Sequence, residues 1–272
     1  MIILTCADGG NVKTDAGRDY KNFKFSAVIR DTEKAAKNHN YRMIVYDLGQ
    51  LGFGIPYEVE DESFHCNGYY ETEVIKGYKS KSLFKPDIVQ LSMDRYNETI
   101  AYLDGDAQLL GCLDEIETDD YDIGVTLRDF SELSSEWHQT YMDIARYINA
   151  GVIFFRPTDA AREFIELWKK ETADVGNDQM ALNRLACSED YPDVDSIQTL
   201  HGVRIKYFPG NIYNFYYFTD NDHRDAKILH FKGAVRHFYP FDWKKRVYCR
   251  AAVPVKNGVN RILRRRVDLD RC

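Results

Sequence analysis

The chain has 272 residues, of which 44% are hydrophobic and 29% are charged, and its formal net charge at pH 7 is -7. This length suits one large α/β domain or two small ones, and the acidic balance argues against a general nucleic-acid-binding protein, which would carry a basic surplus. The 19 tyrosines and 15 phenylalanines suit a concave site lined with aromatic rings.

The lack of a recognisable targeting signal and the spacing of the cysteines both predict a cytoplasmic protein. The sequence starts MIILTCADGG without a basic region, and no apolar run reaches membrane-spanning length. The six cysteines are scattered without a Cys-x-x-Cys pair. This spacing is typical of reduced thiols rather than of a disulfide framework or a zinc site.

Strand-like and helix-like segments alternate along the chain. We predict strands at 2–6, 42–48, 100–103, 122–127, 151–155, 203–208 and 227–231. We predict helices within 23–39, from about Pro86, at 160–171 and at 178–187. Thr158 or Asp159 would cap the third helix and Asp178 the fourth. This order favours a single α/β domain with a largely parallel sheet, whose functional sites gather at the carboxyl ends of strands.

The segment LDGD places Asp104 and Asp106 at the end of the strand predicted for 100–103. At i and i+2 of an extended chain, their side chains leave on the same side. Neighbouring carboxylates repel unless they share a proton or a cation, so the pair indicates a metal site or a carboxylate nucleophile with a partner acid. Taken by itself, the motif is equally well a tight turn that ends a strand.

Three later segments carry further polar groups, and each has a structural explanation of its own. Asn149 precedes small residues in NAGVIFFRP, which reads as a turn before a core strand. Asp178, the second residue of NDQMALN, is a natural helix cap, although Gln179 is harder to explain in this way. His230 begins HFKGAVRHF, which also contains Lys232, Arg236 and His237. A histidine in such a segment is either a structural residue or a metal ligand.

The segments LDGDA, NAGVIFFRP, NDQMALN and HFKGAVRHF occur in an order that resembles GT-A glycosyltransferases, particularly the glycogenin and galactosyltransferase-like group of nucleotide-diphospho-sugar transferases. SLFKPDIV, which precedes LDGDA, resembles that group's segment with a lysine facing the donor. The resemblance implies a GT-A (Rossmann-like) α/β domain, with a mixed, largely parallel sheet flanked by helices, over residues 1–240. A basic C-terminal segment, 241–272, would follow.

The resemblance also implies roles for individual residues. Asp104, Asp106 and His230 would hold Mn2+ or Mg2+, and the imidazole tilts the preference toward Mn2+. Asp178 and Gln179 would act at the reacting sugar. The implied donor-binding residues are Cys6, Ala7, Asp8, Lys85, Asp104, Gly105, Asn149, Ala150, Gly233 and Arg236. The chain departs from the family where Arg236, His237 and Phe238 replace a lysine followed by a Pro-aromatic pair.

The implied activity is transfer of a sugar from a nucleotide-diphosphate donor, a UDP-sugar, to a hydroxyl of a glycan, lipid-linked or protein acceptor, with retention of anomeric configuration. One alternative is a haloacid-dehalogenase-like phosphatase with Asp104 as nucleophile and Asp106 as general acid, although Gln108 stands where that family has Thr or Val. Another alternative is a non-catalytic nucleotide-sugar or carbohydrate-binding module.

The C-terminal segment is strongly basic inside an acidic protein. Its arginines 261, 264, 265 and 266 suit peripheral contact with anionic lipid or with an anionic glycan acceptor. The alternative is a solvated terminal helix without a partner.

Overall fold

The computed structural model describes residues 1–7, 23, 25–47, 79–128, 147–188, 190–216, 225–241, 244 and 245. The strands are β1 (Ile2–Ala7), β2 (Arg42–Asp47), β3 (Ile100–Asp104), β4 (Ala107–Leu109), β5 (Ile123–Leu127), β6 (Ile148–Phe155), β7 (Ile197–Leu200), β8 (Val203–Pro209) and β9 (Ile228–His230). The helices are α1 (Phe25–Asn38), α2 (Lys79–Tyr96), α3 (Asp159–Val175), α4 (Asp178–Ala186) and α5 (Gly210–Tyr213). Short 3-10 turns cover Asp114–Glu117 and Gly233–Phe238.

Seven strands form one mixed sheet in the order β2-β1-β3-β6-β5-β8-β7, and β4 pairs with β9 in a separate antiparallel ribbon. The pairs β1–β2, β1–β3 and β5–β8 are parallel. Strand β6 is antiparallel to both of its neighbours, and β7 is antiparallel to β8. Of the sheet strands in the described part of the chain, all but β6 and β7 therefore run the same way. The predicted α/β class, with a mixed, largely parallel sheet flanked by helices in a single domain, is confirmed.

The sheet separates two apolar layers, as the alternation of side chains along each strand requires. In β3, Ile100 and Tyr102 face the layer that α2, α3 and α4 cover, and Leu103 faces the opposite layer, which contains α1 and the β4–β9 ribbon. Trp168 of α3 is completely buried in the first layer, where its ring stacks on Phe155 of β6 with ring centres 6.1 Å apart. The central strands are thus covered on both faces.

Asn177, and not Asp178, is the N-cap of α4. Gly176 ends α3 in the left-handed conformation, and Asn177 follows in an extended conformation. The Asn177 side chain accepts a hydrogen bond from the Met180 backbone N–H at 2.9 Å. Asp178 is therefore the first helical residue, and the prediction that it caps α4 is wrong. Thr158 caps α3, as one of the two predicted candidates.

Two predicted boundaries shift in the structure. Helix α2 begins at Lys79, so Pro86 lies inside it rather than in its first turn. Strand β6 begins at Ile148, so Asn149 and Ala150 are strand residues and not a turn. The reason is tertiary: Ile148 pairs with Leu127 of β5, and the Asn183 side chain of α4 accepts hydrogen bonds from the Tyr147 and Ile148 N–H groups, both at 2.8 Å.

Some predictions lie outside the described residues. They include Asp8 and the arginines of the C-terminal segment, so the predicted boundary between residues 240 and 241 stays a prediction. None of the helices in the described part of the chain combines the length and the apolar character needed to cross a membrane.

Candidate active site

The predicted site residues meet at the carboxyl ends of β1 and β3. These strands are parallel and in register, so Cys6 lies beside Asp104. Ala7 ends β1, and Gly105 and Asp106 form the turn that leads from β3 into β4. The Tyr102 hydroxyl donates to Asp104 Oδ1 at 2.9 Å and lies 3.3 Å from the Cys6 sulfur. The end of β1 therefore borders the first aspartate of the LDGD motif.

His230 reaches the aspartates through the β4–β9 ribbon. Ala107 pairs with His230 in this ribbon, and the Phe231 N–H donates to the Asp106 carbonyl at 2.8 Å. The His230 Nε2 atom lies 3.2 Å from Asp106 Oδ1 and 3.8 Å from Asp104 Oδ2. The pairing of two short strands thus joins residues that are far apart in the sequence.

Each aspartate directs one oxygen to His230 and the other to a cation. Lys85 Nζ lies 3.0 Å from Asp104 Oδ1, and Arg236 binds Asp106 Oδ2 through Nη2 at 2.7 Å and Nε at 3.1 Å. Burial would raise the pKa of the Asp106 carboxyl, but His230 and Arg236 outweigh burial and hold this pKa well below its usual range. Asp106 is therefore ionised, and each of the two aspartates already has a cationic partner in the protein.

The oxygens that the two aspartates direct to His230, together with His230 Nε2, suit a divalent ion. Asp104, Asp106 and His230 each offer one atom, and these atoms lie within 4.8 Å of one another. Carboxylate oxygens suit Mg2+ and Mn2+, and an imidazole nitrogen suits the transition metal better. The predicted set of three residues is thus brought together as a possible metal site.

Lys85 lies between the metal-site residues and α4. Its Nζ is 2.5 Å from Asp178 Oδ2 and donates to the Ala150 carbonyl at 3.0 Å. Burial would lower the pKa of this ammonium group, but Asp104 and Asp178 outweigh burial and raise it. For Asp178 burial dominates, so its pKa is raised despite the attraction of Lys85. Lys85, predicted to face the donor, thus also connects two carboxylates of the site.

Asn149, Ala150 and Gln179 lie side by side where β6 meets α4. Gln179 Oε1 accepts from the Ala150 N–H at 3.4 Å. Asn149 Oδ1 accepts from the Gly151 N–H at 2.9 Å and from the Asn214 amide at 3.2 Å. The carbonyl end of the Asn149 side chain is therefore engaged with the protein, and its amide nitrogen is the end that can donate to a ligand.

The segment after His230 supplies two cations. Lys232 Nζ lies over the Tyr216 ring, 3.4 Å from its centre, and this ring is 6.3 Å from the His230 ring. Gly233 begins the 3-10 turn that returns Arg236 to Asp106. Lys232 therefore lies close to His230, and Arg236 lies against Asp106, so both cations are near the possible metal site.

Sequence reasoning missed Asn214 and the role of Gly151. The Asn214 side chain bonds to His230, and a Cβ at residue 151 would lie 2.1 Å from the His230 ring. The available signal for Asn214 was its position as a polar residue among the aromatic residues of IYNFYYF. The group that lies closest to Gly151 is the His230 ring.

Comparison with known protein families finds one match, over part of the chain. Residues 112–236 match the model of a family described as nucleotide-diphospho-sugar transferase. No curated protein matches the sequence closely enough to count as a relative.

Two solved structures share the fold. A glycosyltransferase involved in glycosylation of the major capsid of PBCV-1 has a TM-score of 0.52 and 13% identity, over 87% of this chain and 96% of that one. The galactosyltransferase LgtC, in complex with donor and acceptor sugar analogs, has a TM-score of 0.51 and 17% identity, over 91% of this chain and 94% of that one. At such identities the likeness establishes the GT-A fold alone.

Proposed function

We propose that this chain, a glycosyltransferase by its family match and a GT-A protein by its fold, moves a sugar from a nucleotide-diphosphate donor to a hydroxyl acceptor with a divalent ion at Asp104, Asp106 and His230. The convergence of one oxygen from each aspartate on His230 Nε2 carries the proposal. The family match favours this activity over the phosphatase alternative.

The protein's own cations set the orientation of the two aspartates. Lys85 and the Tyr102 hydroxyl hold Asp104 through Oδ1, and Arg236 holds Asp106 through Oδ2. Each side chain then directs its second oxygen to the same place. When bound there, Mn2+ or Mg2+ would neutralise the negative charge that grows on the departing diphosphate.

The donor would lie across the carboxyl ends of the strands. Cys6, Ala7 and Asp8 would border the base, which we take to be uracil. Lys232 and Arg236 would meet the diphosphate, and Gly233 would allow its close approach to the backbone. The Asn149 amide nitrogen, the Ala150 backbone and Gln179 would line the sugar. The positive charges of Lys232 and Arg236 would complement the negative charge of the diphosphate.

Asp178 supports a retaining mechanism. Its buried carboxylate lies at the first position of α4 and is joined through Lys85 to Asp104. A carboxylate on the face opposite the diphosphate stabilises the positive charge that develops on the anomeric carbon, or forms a short-lived adduct with it. Gln179 would assist with its amide oxygen.

The acceptor would be a hydroxyl of a glycan, a lipid-linked sugar or a protein. The basic C-terminal segment would bring the enzyme to an anionic acceptor or to anionic lipid, each cation near such a surface contributing about 1 kcal/mol. Binding to anionic vesicles should weaken with added salt, and a truncated chain that lacks residues 246–272 should bind them less.

A thermal-shift screen of nucleotide sugars, with and without Mn2+, tests the donor and the ion together. A donor at 100 times its dissociation constant stabilises the fold by about 2.7 kcal/mol, and we expect this gain only when Mn2+ is present. The selected donor is then incubated with candidate acceptors, and the anomeric configuration of the product is read by NMR.

Other outcomes would favour the alternatives. Hydrolysis of an aryl phosphate would support the phosphatase. Donor binding without hydrolysis or transfer would support the binding module. Donor binding that is unaffected by chelation would reject the role of the metal, and an inverted product would reject the retaining mechanism.

A further inference from the structure

We infer that Asn214 is a positioning residue, which fixes a proton on His230 Nδ1 and thereby presents Nε2 as the metal ligand. This inference rests on the proposed metal site. Asn214 touches neither aspartate in the described contacts, and its effect on the site passes through the imidazole ring.

Asn214 lies in a buried polar network behind His230. Its side-chain oxygen is 2.8 Å from His230 Nδ1. Its amide nitrogen donates to Thr126 Oγ1 at 2.8 Å and contacts two oxygens of Asn149, the carbonyl at 3.3 Å and Oδ1 at 3.2 Å. These side chains are all buried, with Asn214 only 1% exposed. Because water does not reach these polar groups, they form hydrogen bonds with one another instead.

The chemistry of these partners fixes the orientation of the Asn214 amide. The Asn149 backbone carbonyl can only accept a hydrogen bond. The Thr126 hydroxyl lies 3.1 Å from the carbonyls of Asn149 and Val152, to which it donates, so its lone pairs accept from Asn214. The amide nitrogen must therefore face Thr126 and Asn149, which leaves the oxygen facing His230.

The orientation of Asn214 determines where the imidazole carries its proton. An amide oxygen accepts, so His230 Nδ1 must donate and must carry hydrogen. In the neutral ring the lone pair is then on Nε2, the nitrogen that lies 3.2 Å from Asp106 Oδ1. Asn214 thus selects the tautomer whose free nitrogen points at the aspartates.

The backbone holds Asn214 and His230 in fixed relation. The Phe215 N–H donates to the Ile228 carbonyl at 3.0 Å, and the His230 N–H donates to the Phe215 carbonyl at 2.7 Å. The ring also lies against Gly151 of β6. The imidazole therefore has little room to turn, and Asn214 has a constant partner.

Loss of the Asn214 oxygen should weaken metal binding. Without an acceptor at Nδ1, the neutral imidazole can carry its proton on Nε2 and donate to Asp106, which occupies the ligand atom. Removing the outer partner of a metal-binding histidine typically lowers metal affinity by about 10- to 100-fold. We expect a fall of this size in Asn214→Leu, which keeps the bulk and removes the amide.

The test measures Mn2+ affinity by titration of the full chain without donor, and the His230 tautomer by 15N NMR at about pH 8, where an unperturbed imidazole is neutral. The parent should show the Nδ1–H form, and Asn214→Leu should lose it. Asn214→Asp keeps an acceptor for Nδ1 and should retain most of the affinity. Tyr207→Phe removes a buried hydroxyl that donates to Ala186, far from the aspartates, and should leave Mn2+ affinity unchanged.

The outcomes separate this inference from the proposed function. Parental Mn2+ affinity in Asn214→Leu, or an Nε2–H tautomer in the parent, overturns the role of Asn214 while the metal site stands. A parent that binds no Mn2+ overturns the metal site and this role together. If Asn214→Leu does not fold, Thr126→Val removes one partner of the amide and should give a smaller loss of both affinity and Nδ1–H signal. Unchanged values in Thr126→Val would then contradict the inference.

Discussion

Individual side chains in this site contact two different groups at once, and the two aspartates of the LDGD motif show this most clearly. Each gives one oxygen to a cation of the protein and the other to the place where His230 Nε2 lies. Lys85 and Arg236 therefore orient these carboxylates and offset part of their charge. Lys85 also pairs with Asp178, so two cations face three carboxylates and a metal ion would add positive charge. Removing one aspartate should disturb both the cation and the metal site.

Asp106→Asn should weaken Mn2+ binding and lower turnover at least tenfold, which corresponds to about 1.4 kcal/mol. The amide keeps the size of the side chain but loses its charge and its ion pair with Arg236. The measurements are a Mn2+ titration and the rate of donor consumption. Asp94→Asn, which alters an exposed ion pair on α2, is the control and should behave as the parent. A near-normal rate with unchanged metal dependence in Asp106→Asn would remove the central assignment.

Asp178→Asn should lower turnover at least tenfold, about 1.4 kcal/mol, with little change in the melting temperature. Asparagine keeps the size of the side chain and removes the charge that would act at the anomeric carbon, while Lys85 keeps its ion pair with Asp104. Helix capping gives no reason for a loss of stability, because Asn177 is the cap. Turnover per folded molecule and melting are the two measurements, and Gln179→Ala should show a smaller loss of turnover.

Asn177→Ala is the matched control for Asp178→Asn. Loss of this cap should cost about 0.5–2 kcal/mol of stability and leave turnover per folded molecule almost unchanged. If Asp178→Asn turns over normally, Asp178 has only a structural role in the ion pair with Lys85.

At the scale of elements, β9 lies close to β6 because residue 151 has no side chain. A Cβ there would lie 2.1 Å from His230 Cε1 and 2.6 Å from Nδ1. Asn214 bonds to the same ring through Nδ1, so the imidazole cannot move away without losing this hydrogen bond. Glycine is thus required here for space.

Gly151→Ala should destabilise the fold by about 1–3 kcal/mol through overpacking, and it should reduce Mn2+ affinity because His230 is displaced. Urea unfolding and a Mn2+ titration give the two values. Gly111→Ala is the control, since its added Cβ would meet the flexible Lys227 side chain at 3.2 Å. That variant should keep its Mn2+ affinity. Parental Mn2+ affinity in Gly151→Ala would show that the ring tolerates the methyl group.

Asp122 joins three elements at the opposite end of the sheet from the site. Its carboxylate accepts from the Arg204 N–H at 3.0 Å and from the Arg204 guanidinium at 3.0 and 3.1 Å, and it accepts from the Thr158 hydroxyl at 2.9 Å. Burial would raise the pKa of Asp122, but these hydrogen bonds outweigh burial and lower it. The carboxylate therefore fastens β5 to β8 and to the start of α3.

Asp122→Ala should lower the free energy of unfolding by roughly 1.5–3 kcal/mol at neutral pH, as expected for hydrogen bonds to a charged group. Because the folded-state pKa is depressed, this contribution is present above the unfolded-state pKa of about 3.9. It is lost as the pH falls through the folded-state value. Urea unfolding of parent and variant should therefore differ at neutral pH and converge in acid.

Asp120→Ala serves as the control for Asp122→Ala, because Asp120 also pairs with Arg204 but its side chain is 88% exposed. An exposed pair contributes about 0–1 kcal/mol. A difference between parent and Asp122→Ala that stays constant down to strong acid would show that the ionised carboxylate is not what stabilises this junction.

At the scale of the whole molecule, the site joins the two layers of the fold. Lys85 and Asp178 come from helices on one side of the sheet, and His230 comes from the ribbon on the other. The aspartates lie where β3 ends between them. A bound ion and donor would therefore connect both layers, which is why the thermal-shift screen reports on the whole fold and not on one loop.

The sequence alone predicted the fold class that the structure confirms, and it singled out Asp104, Asp106 and His230, which the fold brings together. Alternation of strand and helix patterns predicts an α/β sheet, and neighbouring strand-end acids predict a shared site because local spacing fixes which side chains leave together. The order of four short motifs indicated the GT-A glycosyltransferases. These features can be predicted from sequence because each depends on residues that are close together in the chain, or on the resemblance of short motifs to a known family.

Which groups the site residues contact could be learned only from the tertiary structure. Nothing in the local sequence tells that Lys85 bridges Asp104 and Asp178, that Arg236 holds Asp106, or that an amide at residue 214 orients the imidazole. The same holds for β6, whose early start depends on partners in β5 and α4. The physical reason is shared: a buried polar group takes the partner that chain folding brings within hydrogen-bond distance, and that partner is set by strand order and helix packing rather than by its neighbours in sequence.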